Sequence, residues 1–446
     1  MYRLQTLNSC NVKSCNLKSC NINHTYPTAT TWTVERLGEI GWAFNGLTRS
    51  SKDNFGYGSR YITYKAIHNN RYVNAKNTEL ANINKKEKEN KLKVGDALFT
   101  ASSETIDTIG MTSIFECTSK NIYLNSFCFG YRIYKPKLTS YKYLAYLFDS
   151  SPFRKKLMTL GQGSTRYNLS KNDFLNIKIK LPTLAEQNKI NEILTTCDKI
   201  IQQIKDLSNQ TKLQQKYLIN NLINGIKRFK EFKRQQGYRN TKIGSIPMDW
   251  KIKKLAEIST ITIGLASSMT KHYRKTGVTL IRNSDIKPHE INKNNTVKLC
   301  PEFANYISNK KLKLNDITTV HTGEVGVSAL ITPELHGCFS FGTLNTRPNP
   351  SIIDSAFLCF YFNTQAFYNR CARIATGDGR NNLNVADFKK MLIPLPSLPE
   401  QQKIVKTLKT IAKEISQLKE KKEIYKQEKK YLMQQLLTGA TRVRVD

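Results

Sequence analysis

The feature that most constrains the fold of this 446-residue chain is an internal duplication. The segment Trp32–Ile40 (WTVERLGEI) recurs in the second half of the chain as Trp250–Ile258 (WKIKKLAEI). The segment Leu181–Ile190 (LPTLAEQNKI) recurs at nearly the same offset as Leu395–Ile404 (LPSLPEQQKI). Because the order of the segments is kept and the offset hardly drifts, the sequence predicts two copies of one structural unit.

Each copy begins with a mixed domain. Short apolar runs alternate with Gly, Asn and Ser, which predicts strands, and longer periodic stretches at 141–160 and 355–374 predict helices. The predicted strands are Arg60–Ile67, Ala97–Thr100, Phe127–Tyr134, Val278–Ile281 and Asp316–Val320. The segment from 97 to 180 agrees poorly with its partner in the second copy. A matched frame around unmatched middles indicates one scaffold that carries two different surfaces.

Each copy ends with a long helical stretch. After Pro182 and Pro396 the apolar spacing becomes three, four or seven residues, and Gly225 and Gly439 are predicted to end the helices. A long amphipathic helix needs a partner along its apolar stripe, so we expect the two helices to form an antiparallel coiled coil. The alternative is that each packs on its own domain, where a helix about 60 Å long would overhang.

The predicted fold class is α+β, with two duplicated mixed α/β domains separated by the two long helices. The expected segments are a low-complexity, disordered tail, a first domain, a central helix, a second domain and a C-terminal helix, at 1–30, 31–181, 182–230, 231–394 and 395–440. The tail repeats Cys10, Cys15 and Cys20 at even spacing. Structural zinc normally needs closer pairs, so we interpret the repeat as a low-complexity extension and not as a metal site.

The charge of the chain predicts a polyanionic partner. It has 70 Lys and Arg against 34 Asp and Glu, a formal net charge of +36, which favours nucleic acid before an anionic membrane. The longest apolar run, near 356–362, is too short for a membrane span, and the N-terminus lacks the apolar core of a secretory signal. Scattered cysteines such as Cys128, Cys338 and Cys359 indicate buried thiols in a reducing cytoplasm.

Catalytic signatures are absent from the sequence. Gly323–Gly326 lacks the lysine of a phosphate loop, and neither H-E-x-x-H nor Gly-x-Ser-x-Gly occurs. The six histidines have no ligand spacing. We therefore expect a binding protein with no cofactor or metal of its own, or a subunit whose catalysis lies in other chains.

The paired helix starts at Pro182–Ile190 and Pro396–Ile404, each closing a basic mixed domain, carry a family resemblance. The segments that begin at Trp32, Trp250 and Gly161 carry it too, as does a shorter form of the last at Gly377–Leu383. From about residue 30 to 440 the chain resembles the specificity subunit of type I restriction-modification enzymes.

The resemblance implies that 31–181 and 231–394 are target recognition domains. Each would read one half of a split sequence in double-stranded DNA, and the coiled coil would set the spacer between the halves. Two modification subunits, which bind S-adenosylmethionine and methylate adenine, would dock on the chain. Two restriction subunits, which are ATP-driven and require Mg²⁺, would join through them. The chain itself would be non-catalytic and would direct methylation and cleavage by these partners.

The candidate DNA-binding residues are polar or basic residues beside glycines. Arg can bind guanine, and Asn or Gln can bind adenine, through paired hydrogen bonds, whereas Lys more often holds phosphate. In the first copy they are Arg49, Lys52, Arg60, Gln162, Ser164, Thr165, Arg166 and Asn168. In the second copy they are Lys271, His272, Arg274, Arg282, Asn283, Arg380, Asn381 and Asn382.

The helix starts carry four further candidates: Glu186, Gln187, Glu400 and Gln401. Two interpretations of them stay open, namely helix capping and contact with the modification subunits. Two other functional classes also stay open for the whole chain. One is a stand-alone, sequence-independent nucleic-acid binder, which would lose affinity steeply with salt. The other is an enzyme with an unrecognised site.

Overall fold

The computed structural model describes residues 32–48, 55–83, 90–119, 121–267, 269–294, 296–376 and 381–445. The chain forms two compact units. The first unit runs from the N-terminus to Ile204 and resumes at Lys421, and the second is Lys205–Glu420. The predicted tail, with its cysteine repeat, lies outside the described residues.

The first copy of the mixed domain contains strands β1–β13 and helices α1–α5. The strands are Thr33–Arg36, Gly41–Asn45, Phe55–Ile62, Tyr72–Val73, Thr78–Ala81, Ala97–Thr100, Ser102–Ser103, Thr112–Phe115, Ile122–Leu124, Cys128–Ile133, Gly161–Gln162, Tyr167–Leu169 and Lys178–Leu181. The helices are Leu37–Ile40, Tyr64–Asn69, Tyr141–Asp149, Ser151–Leu160 and Lys171–Leu175. The long helix α6, Leu184–Ile223, follows.

The second copy contains strands β14–β27 and helices α7–α11. The strands are Tyr238–Thr241, Gly244–Pro247, Lys251–Lys254, Ser259–Ile263, Tyr273–Arg274, Val278–Arg282, Ile286–Lys287, Glu290–Ile291, Val297–Leu299, Ile317–Val320, Ser328–Leu330, Phe339–Phe341, Thr343–Pro348 and Leu392–Leu395. The helices are Leu255–Ile258, Pro301–Tyr306, Ser355–Phe362, Gln365–Ile374 and Val385–Lys390. The long helix α12, Leu398–Thr438, follows.

The sheets repeat from one copy to the other. The first copy has a five-stranded sheet in the order β2-β10-β6-β8-β4, and the equivalent sheet of the second copy has four strands in the order β17-β26-β23-β24. A three-stranded sheet β5-β3-β9 in the first copy corresponds to β18-β22-β19-β25 in the second. In both copies the first strand of the matched frame pairs antiparallel with the strand that leads into the long helix, as β1 with β13 and β16 with β27. The duplication predicted from the sequence is therefore present in the topology.

Aromatic side chains fill both cores. Phe99 packs against Phe129, Phe148 and Phe174 with ring centroids 4.7 to 5.2 Å apart. In the second unit Phe362 stacks on Phe367 at 4.4 Å. Such buried rings contribute large apolar areas and favourable ring–ring geometry, so each unit has a core of its own.

One predicted strand ends earlier in the structure than in the prediction. The strand predicted at Arg60–Ile67 is wrong beyond Ile62, because Thr63 accepts a hydrogen bond from Ala66 N–H and starts α2. The other predicted strands agree with the structure to within one residue at each end.

Each predicted helical stretch of the mixed domains is two helices in the structure. The stretch at 141–160 is interrupted at Ser150, which caps α4 by accepting from Phe153 N–H. The stretch at 355–374 is interrupted before Thr364, which caps α10 by accepting from Phe367 N–H. In both copies a hydroxyl cap therefore starts a second helix.

The long helices pair within each unit. At the start of α6, Leu194 lies in the same buried cluster as Leu436 near the end of α12. In the second unit Leu222, near the end of α6, lies in the same cluster as Leu408 of α12. The start of each helix thus packs against the end of the other, which confirms the antiparallel pair.

The long helices begin and end near the predicted prolines and glycines. Helix α6 begins shortly after Pro182, and α12 begins shortly after Pro396. Gly225 and Gly439 follow the two helix ends with φ of +69° and +76°, a left-handed conformation that glycine adopts without strain. Within the described ranges, no helix combines the length and apolar character needed to cross a bilayer.

The thiols of Cys128, Cys338 and Cys359 are buried, as predicted. Burial raises the pKa of Cys338 and of Cys359 to about 12, so both thiols stay protonated near neutral pH.

Candidate nucleic-acid interface

A short hairpin in the first unit brings most of the predicted first-copy residues together. Strands β11 and β12 pair antiparallel, with Gln162 opposite Asn168, and Asn168 also pairs with Ser102 of β7. The exposed residues of this hairpin are Gln162, Ser164, Thr165, Arg166 and Asn168. The sequence thus located a contiguous polar surface, which we call the first hairpin (161–169).

Gly163 explains why the first hairpin can turn so tightly. Its φ is +127°, and a Cβ there would lie 2.1 Å from the Arg166 carbonyl oxygen. No other residue fits that close approach without moving the backbone. The glycine therefore permits the tight turn that carries the polar tip.

An exposed aromatic residue that the sequence analysis did not single out lies beside the first hairpin. The Arg166 guanidinium lies over the Phe127 ring, 5.9 Å from its centroid, and Phe127 is 55% exposed. In the described part of the chain, no hydrogen bond or ion pair occupies this guanidinium. The sequence signal for Phe127 was its position at the start of a predicted strand.

The remaining first-copy candidates lie elsewhere. Arg60 is exposed on β3, in the β5-β3-β9 sheet, opposite Leu80 and Ile122. Arg49 and Lys52 lie outside the described residues.

In the second unit, Thr322 connects two predicted residues. The Asn283 side-chain amide donates to the Thr322 carbonyl oxygen at 3.0 Å, and the Thr322 hydroxyl donates to Asn382 Oδ1 at 2.8 Å. His321 Nδ1 lies 2.8 Å from the same hydroxyl, and burial lowers the pKa of His321. Asn381 is exposed beside this cluster, and its carbonyl oxygen accepts from Gly323 N–H.

This second cluster occupies the place of the first hairpin. Thr376 and Asn382 exchange backbone hydrogen bonds of 3.0 and 2.8 Å after α10, as the ends of the first hairpin pair after α4. Asn382 also bridges to Thr322, which follows β23, as Asn168 pairs with Ser102 after β6. Arg380 lies between these anchors, outside the described residues.

The other second-copy candidates divide into exposed and engaged residues. Lys271 and Arg274 are exposed. His272 is half-buried and stacks on Phe303 with ring centroids 3.8 Å apart. The Arg282 guanidinium donates to both carboxylate oxygens of Asp285 at 3.1 Å, and hydrogen bonding to Asp285 raises the pKa of Arg282. His272 and Arg282 thus contact other side chains of the chain, whereas Arg274 is exposed and donates to the Lys271 and Tyr273 carbonyl oxygens at 3.0 and 2.8 Å.

The helix starts have a different surrounding from the hairpins. The Glu186 side chain is 3% exposed and accepts from Trp32 Nε1 at 3.2 Å. Arg442, which follows α12, donates to both Glu186 oxygens at 2.6 and 2.8 Å and lies over the Trp32 ring at 5.6 Å. Hydrogen bonding to Glu186 raises the pKa of Arg442. We call Trp32, Glu186 and Arg442 the first clamp.

The second unit repeats this arrangement as the second clamp, formed by Trp250, Glu400 and Arg228. Trp250 Nε1 donates to Glu400 at 3.2 Å, Arg228 donates to both Glu400 oxygens at 2.7 and 2.9 Å, and the guanidinium lies 5.7 Å from the Trp250 ring. Arg228 also donates to Asp249 at 2.6 Å. The sequence analysis missed both arginines, although they are separated by the same offset as the two helix starts.

Gln187 and Gln401 are fully buried beside the clamps. Gln187 accepts from Ser140 N–H at 2.9 Å and donates to the Leu138 and Pro182 carbonyl oxygens. Gln401 makes the matching bonds in the second unit. The four helix-start side chains therefore fasten the helix to the domain of its own unit, and their predicted contact with modification subunits stays a prediction.

Fold and surface together define a class: a basic chain of two mixed domains, each with polar side chains at a matching place and each fastened to paired long helices. The family model of the type I restriction modification DNA specificity domain matches this sequence at residues 29–236 and 247–426. The chain belongs to that family. Its members are specificity subunits without catalysis of their own, and the match to a DNA specificity domain gives no support to the alternative of a sequence-independent binder.

Individual relatives agree with the family model. The type I restriction enzyme MjaVIII specificity subunit of Methanocaldococcus jannaschii is 29% identical over 329 residues, 70% of this chain and 72% of that protein. The putative type I restriction enzyme MjaX specificity subunit of the same organism is 26% identical over 425 residues, 93% of this chain and 94% of that protein.

Solved structures share the fold. The HsdS subunit from Thermoanaerobacter tengcongensis has a TM-score of 0.53 at 16% identity, covering 93% of this chain and 99% of that one. A chain from a structure on complex assembly and conformational transition of the type I R-M system has a TM-score of 0.54, with the same identity and coverage.

Proposed function

We propose that each unit of this chain reads one half of a split DNA sequence. The observation that carries the proposal is that equivalent places in two matched scaffolds bear different side chains. At matching places the first copy has Phe127 before β10 and Tyr64 donating to the Ser102 carbonyl oxygen, whereas the second copy has Gly342 before β26 and Asn283 donating to the Thr322 carbonyl oxygen. Two copies of one reading site would keep these residues alike, so the difference favours two different half-sites.

The chemistry of the two surfaces suits base recognition in the major groove. A guanidinium such as that of Arg166 can bind guanine through two hydrogen bonds, and an exposed ring beside it can contact a thymine methyl group. Asn381 and Gln162 are exposed amides that can bind adenine. Exposed cations such as Lys271 and Arg274 suit phosphate contacts that fix the register on the duplex.

The partners follow from the family. The chain would dock two modification subunits, which use S-adenosylmethionine to methylate adenine, and two restriction subunits, which use ATP and Mg²⁺, in the cytoplasm. We retain the helix starts as the contact with the modification subunits. Because Glu186, Gln187, Glu400 and Gln401 are at most 2% exposed, that contact would be made by the surface around them.

The test is an exchange of one domain. Residues 240–394 are replaced by the second domain of a relative, the chain is assembled with its modification subunits, and the methylated sites are sequenced. We expect one half-site to persist and the other to change. The matched control replaces 31–181 and should alter the opposite half. A change in both halves, or in neither, from a single exchange would contradict the proposal.

A further inference from the structure

The two clamps join chain segments that are distant in sequence. In the first clamp, Trp32 precedes β1, Glu186 lies in the first turn of α6, and Arg442 follows the end of α12. Strand β1 pairs with β13, which leads directly into α6. The clamp therefore holds the first and last strands of the domain, and both helix ends, at one point.

We propose that Arg442 and Arg228 are positioning residues, each of which fixes the angle at which its recognition domain sits on the helix ends of its own unit. This inference rests on the function proposed above. Because the gap between two half-sites depends on where each domain is held, the clamps would make the chain selective for a single gap length.

The clamp restricts the orientation of the domain on the helix ends, which apolar packing alone does not do. Leu432, Leu436 and Leu437 of α12 already pack in the same cluster as Leu194 of α6. Apolar burial is non-directional, so this contact by itself permits small rotations. The guanidinium is planar, donates to both oxygens of one carboxylate and also lies over an indole ring. This geometry permits very few rotations of the domain on the helix ends.

The glycine ahead of each arginine supports the same inference. A Cβ on Gly439 would lie 3.3 Å from the Trp32 ring, and a Cβ on Gly225 would lie 2.9 Å from the Trp250 ring. In both units the chain leaves the long helix in contact with the tryptophan, which aims the arginine that follows at the glutamate. The close approach of this glycine to the tryptophan ring is repeated in both copies, which indicates that the clamp requires it.

The two clamps are not equally strong. The Arg228 side chain is 5% exposed and also bonds to Asp249, whereas the Arg442 side chain is 26% exposed. Removing Arg228 would leave two carboxylates without their shared cation, and the second unit would be at risk of not folding. Arg442 is therefore the residue on which positioning can be separated from stability.

The experiment compares R442K, R442A and the double variant R442A/E186Q, in the full chain with its modification subunits. The double variant removes the buried charge that R442A would leave unpaired, so that folding is preserved. Methylation rates are measured on duplexes that carry both half-sites with the natural gap, or with one base pair more or less.

We expect the preference for the natural gap to fall about fivefold or more in R442A/E186Q, with both half-site sequences unchanged; fivefold corresponds to about 1 kcal/mol. R442K keeps the charge but loses the paired hydrogen bonds, so it should fall between the wild type and the double variant. Equal slowing on all three gap lengths would mean that the clamp only stabilises the fold, and would overturn the inference.

A second measurement needs no DNA. Hydrogen exchange of the β1–β13 backbone amides should accelerate in R442A/E186Q, while the matching β16–β27 amides keep their wild-type rates. Unchanged exchange at β1–β13 would overturn the inference. If the wild type methylates without sequence preference, the proposed function fails, and hydrogen exchange still decides whether the clamp holds the domain.

Discussion

At the scale of single residues, the buried amides of Gln187 and Gln401 explain why the helix-start segments match so closely. The Gln187 carbonyl oxygen accepts from Thr139 and Ser140, and its nitrogen donates to two backbone carbonyl oxygens. All four bonds lie in the first unit. No other side chain of similar size offers two acceptor and two donor directions, so neither Glu nor Leu could replace it without leaving buried groups unpaired.

We expect Gln187→Ala to destabilise the first unit by about 2–3 kcal/mol, because it leaves buried backbone groups without partners, each worth about 1–3 kcal/mol. Urea unfolding of the purified chain measures the change. Gln203→Ala, an exposed position on the same helix, is the control and should stay within about 0.5 kcal/mol of the wild type. An equally small effect of Gln187→Ala would mean that its hydrogen bonds are not needed.

At the scale of elements, the first unit has an ion network that ties α6 and α12 to its domain. Asp198 of α6 accepts from Lys429 of α12 at 2.5 Å, from Arg71 at 2.6 Å and from the Tyr146 hydroxyl at 2.9 Å. The positions that match Asp198 and Lys429 in the second copy are Ala412 and Gln215. This fastening therefore belongs to the first domain and is not part of the duplicated frame.

Asp198→Ala should destabilise the chain by about 1–2 kcal/mol, below the range for fully buried pairs because Asp198 is 37% exposed. Thermal unfolding of D198A, K429M and the double variant forms a double-mutant cycle. The double variant should lose less than the two single variants together, because each single variant already removes the Asp198–Lys429 ion pair. Strict additivity would show that Asp198 and Lys429 do not interact.

At the scale of the whole molecule, two matched frames carry two unmatched surfaces, and two helices pair start to end. If those helices measure the DNA, their length should set the gap between half-sites. Helices α6 and α12 have 40 and 41 residues, so each is about 60 Å long.

Deleting one heptad from each helix, within 193–216 and 407–430, keeps both apolar stripes in register and shortens each helix by about 10 Å. We expect the half-site sequences to persist while the gap contracts by about three base pairs, at about 3.4 Å each. Loss of binding is the other expected result, because three base pairs also rotate one half-site by about 100°. Sequencing the methylated sites distinguishes a contracted gap from a loss of binding. An unchanged gap with undiminished methylation would mean that the length of the helices does not set the gap between the half-sites.

Much of the fold could be predicted from the sequence, because it depends on local patterns. Strand β6 at Ala97–Thr100 was predicted without error from a short apolar run, and both long helices from their period and their flanking proline and glycine. The hairpin residues 162–168 were found because polar residues beside glycine favour a turn. The one strand that ran too far, Arg60–Ile67, did so because a cap at Thr63 was not recognised.

By itself the sequence determined the duplication, the strands, the paired helices and the family, because matched segments and periodic apolar residues depend only on the order of the residues. Only the tertiary structure decided which residues meet. Arg442 forms an ion pair with Glu186, which is distant in sequence, and Lys429 forms one with Asp198 of the other long helix. The Phe127 ring lies beneath the Arg166 guanidinium. No local period encodes such pairs, because the distance and direction between two side chains are set by the packing of the elements that carry them.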